Sequence, residues 1–324
     1  MENSLICIIG NLNTDIIIRK VPHLPKWGQE VVGKSHIKVS SGQAAYTGFA
    51  LRKLNIPTSI IGNVGDDLEG KRILSDLANS GINIKGCEVI HNGITGITIA
   101  IVREDGERAF VSDAACLNKF SKSLILKHWD QTISATYVML VGLFFLPNLS
   151  LHDAAFLAKK AQLESKITIL DTGWDTNNWQ PETIINLRKL FSHINIFLPN
   201  FEEACAITGK QNPKAAAQCL HEFGIDIVII KMGAKGSFGS FNNEIISIPA
   251  FLVKVFDTVG AGDVFNAGFL LGHSRGYSIK DCIAFGNAAS HFYISHPKNR
   301  FPVFKEVYHL AKSHYEIHEN SINI

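Results

Sequence analysis

The segment Asp257-Thr258-Val259-Gly260-Ala261-Gly262-Asp263 combines residue types that phosphate chemistry needs. It follows an apolar run ending at Phe256 and opens a helix-like stretch from Val264 to about Gly272. Small residues at Gly260, Ala261 and Gly262 free backbone N–H groups to converge at a helix start, an anion hole suited to phosphate oxygens. Asp263 would sit in the first helical turn, where the dipole keeps the carboxylate ionised yet able to orient and deprotonate a hydroxyl. The segment reads equally as a tight turn with Asp263 capping the helix, and taken alone it leaves both readings open. Phe265 stands where the third glycine of the dinucleotide fingerprint belongs, which excludes that motif.

Gly28-Gln29-Glu30-Val31-Val32-Gly33-Lys34-Ser35 satisfies the phosphate-loop pattern in full, yet its surroundings are wrong. A working loop needs a buried strand before it and a helix after it. Here a proline-broken stretch, Val21 to Trp27, precedes it, and His36-Ile37-Lys38-Val39 alternates as a strand does. A near miss from Gly65 to Lys71 has Arg72 at the hydroxyl position and puts Asp66, Asp67 and Glu69 where phosphates would lie. Both matches are read as chance.

The elements that must position Asp263 follow from periodicity. Leu5–Ile9, Ser59–Gly62, Tyr137–Val141, Ile167–Leu170, Ile194–Leu198 and Ile227–Ile230 read as buried strands. Helical patterns at Asp66–Ser80, Ser150–Ala161, Pro181–Leu190, Asn200–Thr208, Pro213–Phe223 and Ser278–Ser295 alternate with them. This alternation predicts an α/β fold, a mostly parallel sheet covered on both faces, with sites at the carboxyl ends of its strands. Asp15–Val39 and Thr95–Val111 alternate as exposed strands, with Asp105-Gly106 as a hairpin turn. They are read as one β-flap, contributed by about 11–40 and 92–115, that could close over the site and exclude water. Without a visible repeat or linker, a single domain over residues 1–324 with this lid is expected.

A hydrophobic fraction of 46% and a charged fraction of 19% describe an ordinary globular chain. The net charge of +2, with no basic stripe, argues against nucleic acid and membrane surfaces and for a small neutral or modestly charged ligand. Cys7, Cys87, Cys116, Cys205, Cys219 and Cys282 lack paired spacing and read as reduced residues of a cytoplasmic protein. The N-terminus has no basic region of a signal peptide. The longest apolar run, Tyr137 to Leu146, is too short to span a bilayer.

Taken jointly, these segments resemble the ribokinase-like, PfkB-type carbohydrate kinases, in the right order over nearly the whole chain. The resemblance implies a ribokinase-like three-layer fold with a small β-lid, and transfer of the γ-phosphoryl group of ATP to a sugar hydroxyl with Asp263 as base, aided by the backbone of Gly260, Ala261 and Gly262. Gly10-Asn11-Leu12-Asn13-Thr14-Asp15 is similar to the first substrate-binding strand end, so Asn13 and Asp15 would hold sugar hydroxyls; alone it also reads as an Asx turn. Gly42 would let backbone approach the substrate. Ser41 and Tyr46 depart from the family pattern, and Tyr46 stands at a sugar-contacting position. Gly62 to Asp67 with Gly70 matches a further turn of the family and is read as structural. Arg108, in the lid hairpin, could reach an anionic substrate, though a solvated lid arginine is the plainer reading. Asn200 and Glu203 resemble the N-x-x-E motif, which would organise Mg²⁺ and its waters, or simply cap a helix. Lys231, Gly233 and Gly236 match the nucleotide-binding turn, with a plain hairpin as the bland alternative. Thr258 and Asn287 fall at nucleotide-lining positions, although an alanine-packed helix would look the same around Asn287. Asp257 would help hold a monovalent cation such as K⁺, with a later loop in which Lys298 stands near a usual glycine. His291 and His296 lack metal-site spacing. A nucleoside kinase, favoured if Tyr46 or Phe110 stacked on a base, and a silent sugar- or nucleotide-binding relative are the rivals. Bare lid edges invite homodimerisation.

Overall fold

Ile6-Cys7-Ile8-Ile9 presents apolar side chains to both sides of a strand, so it can lie only in a sheet covered on both faces. The computed structural model, which describes residues 4–296, 300–315 and 317, places it there as β1 (Ile6–Ile9). The other strands among the described residues are β2 (Asn13–Arg19), β3 (Ser35–Ser41), β4 (Thr58–Gly65), β5 (Asn83–Ile90), β6 (Ile97–Val102), β7 (Arg108–Asp113), β8 (Tyr137–Val141), β9 (Ile167–Asp171), β10 (Ile196–Phe197), β11 (Ile227–Lys231), β12 (Ser237–Phe241) and β13 (Glu244–Ile248).

One sheet has nine strands in the order β13-β12-β11-β10-β9-β8-β1-β4-β5. From β11 to β5 every pairing is parallel, while β12 and β13 continue the edge in antiparallel fashion. Alternate residues of β1 enter two separate cores. Ile6 and Ile8 pack with helices Gln43–Lys53, Ala261–Ser274 and Ile279–Ser295, whereas Cys7 and Ile9 pack with helices Leu151–Leu163, Pro181–Phe191 and Pro213–Glu222. The expected α/β architecture, helices on both faces of a mostly parallel sheet, is therefore present.

The second sheet, β3-β2-β6-β7, combines antiparallel β2·β3 and β6·β7 pairs with a parallel β2·β6 pair. Residues 20–34, which contain the phosphate-loop look-alike, form neither helix nor strand, and Ser35 enters β3 directly. Asp67, in the near miss, is a helix cap: its carboxylate accepts from the Gly70 and Thr95 N–H groups, both at 2.8 Å, and these bonds outweigh desolvation to hold its pKa below the usual carboxylate value.

Candidate active site

Asp263 lies in the first turn of helix Ala261–Ser274, whose start is set by Gly260 at φ 82°. A β-carbon at Gly260 would meet the Tyr46 ring at 2.9 Å and the Tyr293 hydroxyl at 2.9 Å, so both the left-handed backbone and the crowding require glycine. No side chain caps this helix. The Ala261 N–H turns back to the Thr258 carbonyl at 3.1 Å, leaving the N–H groups of Gly262 and Asp263 without an acceptor among the described residues. Of the Gly260–Gly262 segment expected to form an anion hole, the Ala261 N–H is engaged in the turn, and the N–H groups of residues 262 and 263 are the ones left to meet an acceptor. Asp263 itself is buried. Burial first, and then the nearby Asp171 carboxylate, push its pKa well above the ordinary value against the opposing pull of Lys231 and Gln43. Burial thus opposes the helix dipole that the sequence leads one to expect would keep this carboxylate ionised.

Three further groups complete this neighbourhood. Asp171, the last residue of β9, accepts from the Lys231 amine at 2.7 Å and from the Asn266 amide at 2.6 Å. Lys231 also reaches Asn266 Oδ1 at 3.3 Å, and its amine lies 3.4 Å from where a β-carbon would stand on Gly262. Burial alone would lower the Lys231 pKa, but Asp171 and Glu203 outweigh it and hold the amine charged. Glu203 and Asn200 form a reciprocal capping box: the Glu203 N–H donates to Asn200 Oδ1 at 2.8 Å and the Asn200 N–H donates to Glu203 Oε2 at 2.9 Å. Burial, followed by the Asp171 charge, raises Glu203 to about 7. Asp171, Glu203 and Asp263 thus crowd around one buried amine, an excess of negative charge that a divalent cation would relieve. Among the described residues no cluster of three or more acidic, histidine or cysteine side chains could cage a metal by itself.

The side expected to meet the acceptor lies where the chain passes from β1 of the nine-stranded sheet into β2 of the four-stranded sheet. Asp15 accepts from Ser41 Oγ at 2.6 Å, Asn13 Nδ2 at 2.9 Å and the Tyr46 hydroxyl at 3.2 Å, and burial raises its pKa to about 6 in spite of these donors. Asn13 is oriented by Asn11, whose Nδ2 donates to Asn13 Oδ1 at 2.9 Å. Tyr46, at 6% exposure, packs against Gly260 and meets the Tyr293 ring edge-on, which leaves little of its ring for stacking on a base. Gly42 has φ 99°, and a β-carbon there would come within 2.2 Å of the Asn11 carbonyl. Its glycine is explained by that backbone approach, whatever else comes near.

At the β6–β7 hairpin of the four-stranded sheet, Arg108 donates to Thr258 Oγ1 at 2.8 Å, and Thr258 Oγ1 is 3.4 Å from the Gly106 carbonyl it can donate to. The hairpin tip therefore rests on the Asp257–Asp263 segment, and Arg108 is exposed, as expected of a solvated arginine, while bonded to Thr258. At the opposite end, the Met232–Gly236 turn joins β11 to antiparallel β12. Gly233 has open space around it, but a β-carbon at Gly236, φ 92°, would lie 2.0 Å from the Ile248 carbonyl; close backbone packing accounts for this glycine. Asn287 accepts from Ser237 Oγ at 2.7 Å and its amide faces the Pro249 carbonyl at 3.4 Å.

Asp257 is fully buried and differs from the expected cation ligand. Its Oδ1 accepts from the Val259 N–H at 2.9 Å, and its Oδ2 accepts from Arg19 at 2.7 and 3.2 Å and from Arg300 at 3.2 Å. Two guanidinium groups thus occupy Oδ2, so a K⁺ ion on that oxygen would have to compete with them, while Oδ1 is engaged only by the Val259 N–H. Lys298, part of the expected cation loop, lies outside the described residues. Asp171, Asn266, Gln43, Arg19 and Arg300 were not assigned roles from sequence; an acid ending a buried parallel strand was the available signal for Asp171.

The pfkB family carbohydrate kinase profile matches residues 3–305. Ribokinase of Haemophilus influenzae is 29% identical over 288 residues, 87% of this chain and 90% of that protein. Cytidine kinase of Thermococcus kodakarensis is 40% identical over 103 residues, 31% of this chain and 37% of that protein. The structure of Arabidopsis thaliana ribokinase complexed with ribose and ATP superposes with a TM-score of 0.79 at 25% identity, covering 96% of this chain and 99% of that one. The profile match over nearly the full length establishes that the chain belongs to the pfkB family of carbohydrate kinases.

Proposed function

We propose that Asp263 is the general base of an ATP-dependent sugar kinase whose acceptor lies between the β2 strand end and the Asp257–Asp263 loop. The chain is a phosphotransferase acting on an alcohol group, with ATP and Mg²⁺ as its phosphoryl donor and metal. The observation that carries the base assignment is the single carboxylate buried beside two acceptor-less N–H groups at a helix start. In this reading Asn13 and Asp15 bind acceptor hydroxyls and Gly42 keeps the backbone close, while Tyr46 supports Asp15 from behind. Asp263 takes the hydroxyl proton as the acceptor oxygen bonds to the γ-phosphorus and the bond to the leaving ADP oxygen breaks. The Gly262 and Asp263 N–H groups receive the charge that develops on the transferred group. Mg²⁺, when bound, would neutralise the triphosphate, with Asn200 and Glu203 ordering its waters and Lys231 holding Asp171 in place. Lys231, Gly233, Gly236, Thr258 and Asn287 mark the nucleotide side. The four-stranded sheet acts as the lid of a single domain, with Arg108 as its latch.

A nucleoside acceptor is the second reading, favoured by the local likeness to cytidine kinase over 103 residues and opposed by the covered ring of Tyr46. The deciding experiment is ADP release from MgATP against pentoses, hexoses, sugar acids, sugar phosphates and nucleosides, with Asp263→Asn as control. Turnover on a sugar class that vanishes in the control supports the proposal. Turnover on nucleosides alone moves the substrate reading, and undiminished turnover in the control removes Asp263 from the base role. The lid's outer strand β7 has a bare edge with Phe110 and Val111 half or more exposed, so pairing of two chains through β7 belongs to the same reading; light scattering of the intact protein against Val111→Lys tests it.

A further inference from the structure

We propose that the Arg300 guanidinium, with Arg19 balancing Asp257, is a built-in substitute for a monovalent cation beside the anion loop, so that the enzyme works without K⁺. The inference rests on the kinase reading and adds a positioning residue to it. Arg300 donates to Asp257 Oδ2 at 3.2 Å through Nη1, and through Nη2 to the carbonyls of Asp257 at 3.2 Å and Val259 at 3.4 Å. One carboxylate and two loop carbonyls thus converge on a single positive group, the oxygen-rich set that a hard monovalent ion would otherwise require. Arg300 also lies 3.9 Å over the Tyr293 ring, and the Tyr293 hydroxyl backs Gly260. The guanidinium is therefore pinned between an aromatic face and the carbonyl side of the very turn whose N–H groups face the site.

Charge bookkeeping agrees. Arg19, brought in by β2, forms a buried pair with Asp257 at 2.7 Å, which cancels the carboxylate. Arg300 then leaves one net positive charge at the loop, the charge that a bound monovalent ion would have supplied. A guanidinium held by covalent attachment cannot dissociate from the loop as an ion can. By donating to the Val259 carbonyl it fixes the peptide plane just ahead of Gly260, and so the direction of the N–H groups that follow.

Three measurements on the full chain decide this. Wild-type turnover should agree within about twofold in potassium, sodium and tetramethylammonium chloride at equal ionic strength. Arg300→Ala should lose between about tenfold and the 10²–10³-fold that a missing oxyanion donor costs, mainly in kcat, and should regain activity with added K⁺ or guanidinium. Access is available, because Arg300 lines a cavity of about 690 Å³ shared with Lys38, Arg52 and Arg72. Arg300→Lys should retain more activity than the alanine variant. Several-fold stimulation of the wild type by K⁺ overturns the proposal, as does a folded Arg300→Ala that neither ion rescues. The third measurement needs no acceptor: the melting temperature of the wild type should be the same in potassium and tetramethylammonium salts, and that of Arg300→Ala should rise with K⁺. A wild-type increase with K⁺ overturns the substitution even if no acceptor is ever turned over, whereas failure of every acceptor tests only the kinase reading.

Discussion

Asp263 must be basic enough to take a proton and still be free of one when the acceptor arrives. Burial and Asp171 raise its pKa, and a cation bound with ATP would bring it down again. The activity depends on the ionised form, so kcat/KM should rise with pH along an acid limb centred above the usual carboxylate value, and fall away below it. A pH–rate profile flat down to pH 4 would separate the rate from this carboxylate. Asp263→Asn keeps the size of the side chain and removes the base; it should fold with an unaltered circular dichroism spectrum and lose about 10²–10⁴-fold in kcat. The sequence made this residue legible because a strand, small residues and an acid at a helix start carry the chemistry in consecutive positions. Asp171, Lys231 and Asn266 converge from three separate elements, and no local spacing announces such a meeting. Glu203 shows the other limit: sequence offered metal water and helix cap as alternatives, and the fold uses it as a cap while leaving it close to Asp171 and Lys231.

At the scale of elements, the long strands and amphipathic helices were readable because each keeps one period. Helix Gln43–Lys53 was not: Ala44 to Gly48 are buried on every side, so no apolar stripe forms to mark it. Its start is nevertheless among the most constrained points of the site. Gly42→Ala would place a β-carbon 2.2 Å from the Asn11 carbonyl at φ 99°, and calorimetry should show a loss of at least about 1–3 kcal/mol; an unchanged melting temperature would mean that the turn relaxes freely. The lid offers a separate test. Arg108→Ala removes the bond to Thr258, an exposed contact of small energetic value whose effect should appear in gating rather than stability. It should raise KM for the acceptor several-fold and increase ADP release in the absence of acceptor, because a loosened lid admits water. Equal acceptor-free hydrolysis in the two proteins would count against a latch.

For the whole molecule, the acidic centre ties folding stability to pH. Glu203 in the folded chain is raised from 4.5 to about 7, so the native state holds a proton that the unfolded chain has already released between those values. Its stabilising contribution is present below pH 4.5 and is lost as pH rises through about 7. His193, His273 and His291 are lowered by burial and act in the opposite sense, so the raw melting curve mixes both signs. Comparison with Glu203→Gln removes the shared part, and glutamine can keep the capping box. Between pH 5 and pH 8 the melting temperature of the wild type should fall by a few degrees relative to the variant. Saturating MgATP should shrink that gap, since a cation near Asp171 and Glu203 favours the ionised carboxylate. A gap independent of pH would mean that Glu203 titrates as an ordinary surface acid and that the crowding of Asp171, Glu203 and Asp263 carries no electrostatic strain; a gap that appears but ignores MgATP would place the metal away from this helix start.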